Sequence, residues 1–243
     1  MSFARRVAVA SLCIAAVIPV SAQAPAVDAT KLLEQSTQFT QNLKTFYTDV
    51  SATMTQAGQT MPMNVKMWVQ MPDKMHMRME GPMGQATYLD GNTMITYMSQ
   101  TNQYMKMQLP ESPMKQMVSG LTGGAIVGEK QMTGATFVGK ETKAGVPCNH
   151  LKVQVPGGGQ GDLRIAEGAE PLPVYAIVKM AQPPIESEAR MKWVVNQPIP
   201  ANTFVFTPPA GAKEIQVPAG AGVAGAGAAG APQAPASATP RAQ

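Results

Sequence analysis

The sequence predicts an α+β protein, with one curved antiparallel sheet of about ten strands and two helices covering its concave face. Three observations lead there. Apolar and polar residues alternate at period two through most of residues 46–195. Helical spacing occurs only near residues 29–43 and 114–121. Gly- and Pro-rich clusters break the alternation at hairpin intervals. A sheet of that size must curl, and helices on its hollow side complete a core.

The first 22 residues stand apart. Arg5 and Arg6 precede a 14-residue apolar run from Val7 to Val20, then "VSAQAP". The run is too short to span a membrane and reads as a secretory signal peptide, cut after Ala22. Cys13 follows "ASL", a poor lipobox, so the expected product is a soluble periplasmic protein. The mature chain keeps 17 Lys/Arg against 15 Asp/Glu, net +2. No basic stripe accompanies that charge, and nucleic acid is not an expected partner. Only Cys148 survives cleavage, so no internal disulfide can form, and the thiol reads as a small buried hydrophobe. From Val217 to Gln243 the chain is nearly all Ala, Gly and Pro, with too few side chains to bury, and is expected to be disordered. One domain remains, Val27 to Glu214.

Leu32, Leu33, Phe39 and Leu43 predict a helix from about 29 to 43, with Asp28 or Thr30 as its N-cap. Phe46, Thr48, Val50, Ala52 and Met54 alternate as a first strand. In "MPMNVKMWVQMPDKMHMRMEGPM", Met61, Met63, Val65, Met67, Val69 and Met71 take the odd positions. Met75, Met77 and Met79 continue the pattern, while Lys66, Trp68 and His76 fall on the other face. A three-residue turn at Pro72-Asp73-Lys74 sets Met71 opposite Met75, Val69 opposite Met77 and Met67 opposite Met79. It also sets Trp68 beside Arg78, a cation–π contact worth about 0.5–1 kcal/mol. "GNTMITYM" and "QYMKMQL" form a hairpin with Met94 opposite Met107 and Thr96 opposite Met105. The methionines therefore collect on one face of the sheet.

"PESPMKQMVSGL" reads as a short helix with Met114, Met117 and Leu121 on one stripe. Strands resume at "GATFVGKET", "CNHLKVQV", "GDLRIAEG", "PVYAIVKM" and "SEARMKWVV", and "NTFVFTPPAG" closes the domain. Turns are expected at Ala144-Gly145, Gly157 to Gly161 and Gln182 to Pro184.

This order, with "WVQMPDKMHMRMEGP", "YLDGNTMITYMSQTNQYMKM" and the later "GVPC", "PLP" and "FTPPAGA" segments, resembles the outer-membrane lipoprotein carrier (LolA/LolB-like) superfamily. The second half is closest to its uncharacterised periplasmic branches. The resemblance implies an open half-barrel with a helical lid over the concave face and a hydrophobic cavity that takes lipid chains. The carriers place a lid-latching arginine directly before the turn proline. Here that residue is Met71, and no latch is carried over.

Fifteen of the 19 methionines lie between Met54 and Met117. Three readings account for them. They could be plain core, though three flexible torsions make Met a poor choice for a rigid one. They could be thioether ligands for copper or silver, for which soft sulfur is suited. Or they could wall a cavity that adapts to an apolar ligand, the reading the resemblance favours. The lining would be Met63, Val65, Met67, Val69, Met77, Met79, Met94, Met105 and Met107, with Met114 and Met117 from the lid. Cys148 and His150 share a face but make only a two-ligand pair, and no metal or cofactor site is expected. With two histidines and no Gly-rich loop opening a helix, no catalytic constellation is legible, and a non-enzymatic monomer is expected. Its partners would be lipid or lipoprotein acyl chains, together with an outer-membrane or periplasmic protein.

Overall fold

The computed structural model describes residues 27–81, 84–109, 132–155 and 158–216. The signal peptide at 1–22, the lid helix around Met114–Leu121 and the tail at 217–243 lie outside the described residues.

Helix α1, Ala29–Gln41, begins where Asp28 accepts a hydrogen bond from the Lys31 backbone N–H at 3.0 Å. Ala29, Leu33, Ser36 and Thr40 make its buried stripe, and Leu43 is buried just beyond its end. Twelve strands follow: β1 (Thr45–Gln56), β2 (Gln59–Gln70), β3 (Lys74–Glu80), β4 (Gln85–Asp90), β5 (Thr93–Met98), β6 (Gln103–Gln108), β7 (Thr133–Lys143), β8 (Val146–Val155), β9 (Gly159–Ala166), β10 (Pro173–Met180), β11 (Ile185–Val195) and β12 (Lys213–Ile215). A 3₁₀ turn, Ala201–Phe204, precedes β12. Among the described residues no helix is long and apolar enough to cross a membrane.

All twelve strands join one open, curved sheet in the order β12-β6-β5-β4-β3-β2-β1-β11-β10-β9-β8-β7. Neighbours run antiparallel except β12, which lies parallel to β6. The count exceeds the expected ten because β4 and β12 add to it. Two-residue turns at Ala57-Gly58 and Ala144-Gly145 hold both residues at positive φ, the conformation a tight hairpin of this hand requires.

Period two holds over β1 to β6, while β7 and β10 carry bulges, and one register differs from expectation. Strand β2 pairs β3 with Val69 opposite Met75, Met67 opposite Met77 and Val65 opposite Met79. The turn is still three residues long but comprises Met71-Pro72-Asp73, one position earlier than expected. Each pairing slides by two residues, so every side chain keeps its face. Trp68 consequently meets His76 instead of Arg78, and the expected cation–π contact is replaced by a ring stack at 4.8 Å. The β5–β6 hairpin has the expected register, with Met94 opposite Met107 and Thr96 opposite Met105.

The inner face, which carries α1, has two contiguous cores. Beneath α1 a row of small residues, Ala52, Ala189 and Ala176, crosses β1, β11 and β10 and continues to Leu163 and Leu151. These alanines make room for the helix, whose Ala29 and Leu33 join their cluster. The second core, over β1 to β5, gathers Phe46, Met67, Val69, Met75, Leu89 and Met94, with Phe39 of α1 against it.

On the outer face residues 196–216 run from the middle of the sheet to its edge. Phe206 lies against Tyr88, Tyr97 and Tyr104 at ring-centroid distances of 5.3, 6.0 and 5.2 Å. Asn102 Nδ2 donates to the Ala210 carbonyl at 3.2 Å, and Tyr104 Oη donates to Glu214 at 3.2 Å. This strap fastens the β6 edge to the chain leaving β11.

Met75 is fully buried on the inner wall, whereas Met61 is 42 % exposed at the far end of β2. Met75→Ala is expected to cost about 2–5 kcal/mol by urea unfolding, and Met61→Ala no more than about 0.5 kcal/mol. Equal losses at the two positions would contradict this placement of the wall.

Candidate functional site

Cross-strand register assembles the site. Paired residues of neighbouring strands point to the same side of a sheet, so each register position extends into a row across it. One row reads Phe46, Val69, Met75, Leu89, Met94, Met107 from β1 to β6. The next reads Thr48, Met67, Met77, Thr87, Thr96, Met105, and a third Val50, Val65, Met79, Gln85, Met98, Gln103. Met63 follows beside Ala52. Nine of the expected lining residues, Met63, Val65, Met67, Val69, Met77, Met79, Met94, Met105 and Met107, therefore share one face. Met114 and Met117 lie outside the described residues. Trp193 stands where the two cores meet, and its indole N–H donates to the Pro173 carbonyl at 2.7 Å.

No Lys, Arg, His, Asp or Glu occurs in these rows. Their polar content is two glutamines and three threonines, and all three threonines are buried. Thr87 and Thr96 face one another with hydroxyls 3.5 Å apart, and Gln85 Nε2 is 3.4 Å from the Thr87 hydroxyl. Thr48 Oγ1 is buried with no partner, as is Ser36 Oγ of α1. Pattern reading places Thr48 and Thr96 on the correct face but assigns them no role, because a β-branched residue is ordinary in a strand.

A cavity of about 780 Å³ lies along the flank of α1, walled by Leu32, Gln35, Phe39, Asn149, Glu167 and neighbours. Among the described residues its walls hold no methionine. A second, of about 490 Å³, lies on the outer face between His76, Arg78, Tyr88 and Tyr97 and the Phe206 strap.

The outer face has a different chemistry. His76 is stacked between Trp68 at 4.8 Å and Tyr88 at 4.1 Å, on the side opposite the methionines. Burial holds its pKa below the ordinary value and neighbouring Arg78 pushes the same way. The Thr203 backbone opposes burial and outweighs Arg78 without reversing the shift. Lys66 bridges to Glu80 at 3.1 Å. Further along the same face the Cys148 thiol is fully buried and donates to the Glu141 carbonyl at 3.4 Å. Burial raises its pKa, which keeps it a thiol. His150 Nε2 contacts Asp162 at 2.7 Å, and Arg164 Nε donates to Glu141 at 2.6 Å. The Arg164 hydrogen bond holds the Glu141 carboxyl below its usual range. Cys148 and His150 both approach Glu141, the thiol at its carbonyl and His150 Nδ1 at 3.9 Å from its carboxylate. Among the described residues no group of three or more His, Cys, Asp or Glu side chains is placed to hold a metal ion.

A family model described as "Predicted periplasmic protein (DUF2092)" matches residues 29–124 and 123–218. No curated protein matches the chain. Among solved structures, an uncharacterized conserved protein from Thermus thermophilus is 10% identical at a TM-score of 0.50, covering 78% of this chain and 99% of that one. At that identity the likeness bears on the fold alone. A LolA superfamily protein from Nitrosomonas europaea is 14% identical at a TM-score of 0.40, covering 74% and 99%. The Mycobacterium tuberculosis lipoprotein LppX is 13% identical at 0.42, covering 71% and 99%. Those two scores are too low to argue from.

The His76 ring generates a pH dependence. Its folded pKa lies below the unfolded value of about 6.5, so between the two the unfolded chain binds the extra proton. The stabilisation is complete above about pH 6.5 and is lost as pH falls through the folded value. Urea unfolding should show wild type losing more stability than His76→Phe between about pH 7.5 and about pH 5. The difference between the two proteins isolates the His76 ring, and identical slopes would refute the assignment.

Proposed function

Since the chain belongs to the DUF2092 family of predicted periplasmic proteins, we propose that it is a non-enzymatic periplasmic binding protein that holds a lipid or acyl chain against its methionine-lined inner face. One observation carries this reading. Three uncharged cross-strand rows over β2 to β6 bring methionines from four strands to one face of the sheet, the face that carries α1. Apolar chains leave water for such a surface at roughly 25 cal/mol per Å² of buried area. Methionine has an unbranched, polarizable side chain and fits chains of differing length and unsaturation at little packing cost. The α1 half shows what a fixed core looks like here, with Ala, Val, Leu and Ile predominating. The resemblance of the β2–β6 segments to the lipoprotein carriers points to the same ligand class.

Native mass spectrometry of protein purified from the periplasm tests the reading, and lipid-mass adducts are expected. Met67→Glu with Met79→Glu should lower adduct occupancy at least about tenfold, because a buried carboxylate repels hydrocarbon. Met61→Glu, at the exposed rim, should leave it unchanged. Absence of any adduct under conditions that retain noncovalent ligands would reduce the methionines to core packing. Copper- or silver-mass adducts in place of lipid would turn the reading to soft-metal binding.

A further inference from the structure

The methionine wall is not uniformly apolar, and its exceptions are ordered. Thr48, Thr87 and Thr96 all occupy a single register row, with Met67 and Met77 between the first and second and Met105 after the third. All three are buried, at 2, 4 and 6 % exposure. Valine has the same branched shape without a hydroxyl to desolvate, and a wall meeting hydrocarbon alone would gain by it at each position. The hydroxyls of Thr87 and Thr96 make only a long hydrogen bond to one another. Thr55 and Thr60, paired across β1 and β2 in the open, close to 2.8 Å. Thr87 and Thr96, paired in the same way in the interior, stand at 3.5 Å. The Gln85 amide reaches Thr87 only at 3.4 Å, and Thr48 Oγ1 has no partner at all. Buried donors held this loosely leave capacity for an acceptor from outside the protein.

The surroundings select that acceptor. These rows hold no cation, so the carboxylate of a free fatty acid would sit in them as an unpaired buried charge. A neutral carbonyl carries two acceptor lone pairs and no charge, which matches hydroxyl donors in an apolar setting. We propose that Thr87 and Thr96, paired across β4 and β5, bind the carbonyl of an ester- or amide-linked acyl chain. The ligand class is thereby an acylated lipid or acylated protein, not a free fatty acid or a hydrocarbon. This rests on the lipid-binding reading above and narrows it.

Isothermal titration calorimetry of the full chain with 1-decanoylglycerol and its ether analogue 1-O-decylglycerol tests the point. The two probes have equal chain length and differ in the carbonyl. The ester should bind about five- to tenfold more tightly, the worth of one added buried hydrogen bond. Thr87→Val with Thr96→Val should erase that preference, so that ester and ether bind the variant with equal affinity. Wild-type binding of both probes with equal affinity would overturn the carbonyl site and leave lipid binding standing. A preference surviving in the valine variant would overturn the assignment to these threonines. Binding of neither probe would sink the lipid reading and this inference with it. The wild-type comparison needs no variant, so a poorly folding double mutant does not blunt the test.

Discussion

Cross-strand register over β1 to β6 is the constraint on which the rest of the molecule depends. The side-chain period of a strand is two, so a slip of one residue between neighbours would turn methionines outward and lysines inward along a whole strand. Register is held by turns at several joints. Ala57-Gly58 closes β1 on β2, Met71-Pro72-Asp73 closes β2 on β3, and the residues between Asp90 and Thr93 close β4 on β5. The Met71 N–H also donates to the Lys44 carbonyl at 2.8 Å, tying the β2–β3 turn to the entry of β1. Rows of like chemistry, and hence the candidate site, follow from those closures.

The two faces of one sheet then do different work. The inner face is split between a close-packed half under α1 and a methionine half beside it. The outer face carries the aromatic stack, the Lys66–Glu80 and Glu141–Arg164 ion pairs and the strap. A strap on the outside leaves the inner wall free of it, while Phe206 supplies the β4–β6 strands with aromatic cover they would otherwise lack.

Much of this is legible in the sequence, and the losses have identifiable physics. Alternation at Met63, Val65, Met67 and Val69 assigns a face to each residue, and those faces are the ones observed. It cannot separate registers that differ by two, because both keep the faces. Alternation accordingly misplaces the β2–β3 turn by one residue and pairs Trp68 with Arg78 instead of His76. Strand β12 is three residues long and pairs parallel to a strand more than a hundred positions earlier, so no local pattern announces it. The Phe206 contacts with Tyr88, Tyr97 and Tyr104 are equally non-local. The threonines are visible as strand formers. Their loosely made or missing hydrogen bonds belong to tertiary geometry and have no sequence signature.

The seam between β1 and β11, where Phe46 faces Val195, gives the molecule a history as well as a shape. Strands β1 to β6 are contiguous in the chain, whereas the strand that covers the open edge of β1 comes near the end. A chain delivered from its N-terminus can assemble the methionine half first, with one long unpaired edge and a greasy surface beside it. Such an edge is a template for pairing with other chains until β11 arrives. The interval between synthesis of residue 56 and synthesis of residue 185 is therefore one of exposure to aggregation, and escape from it depends on the half made last.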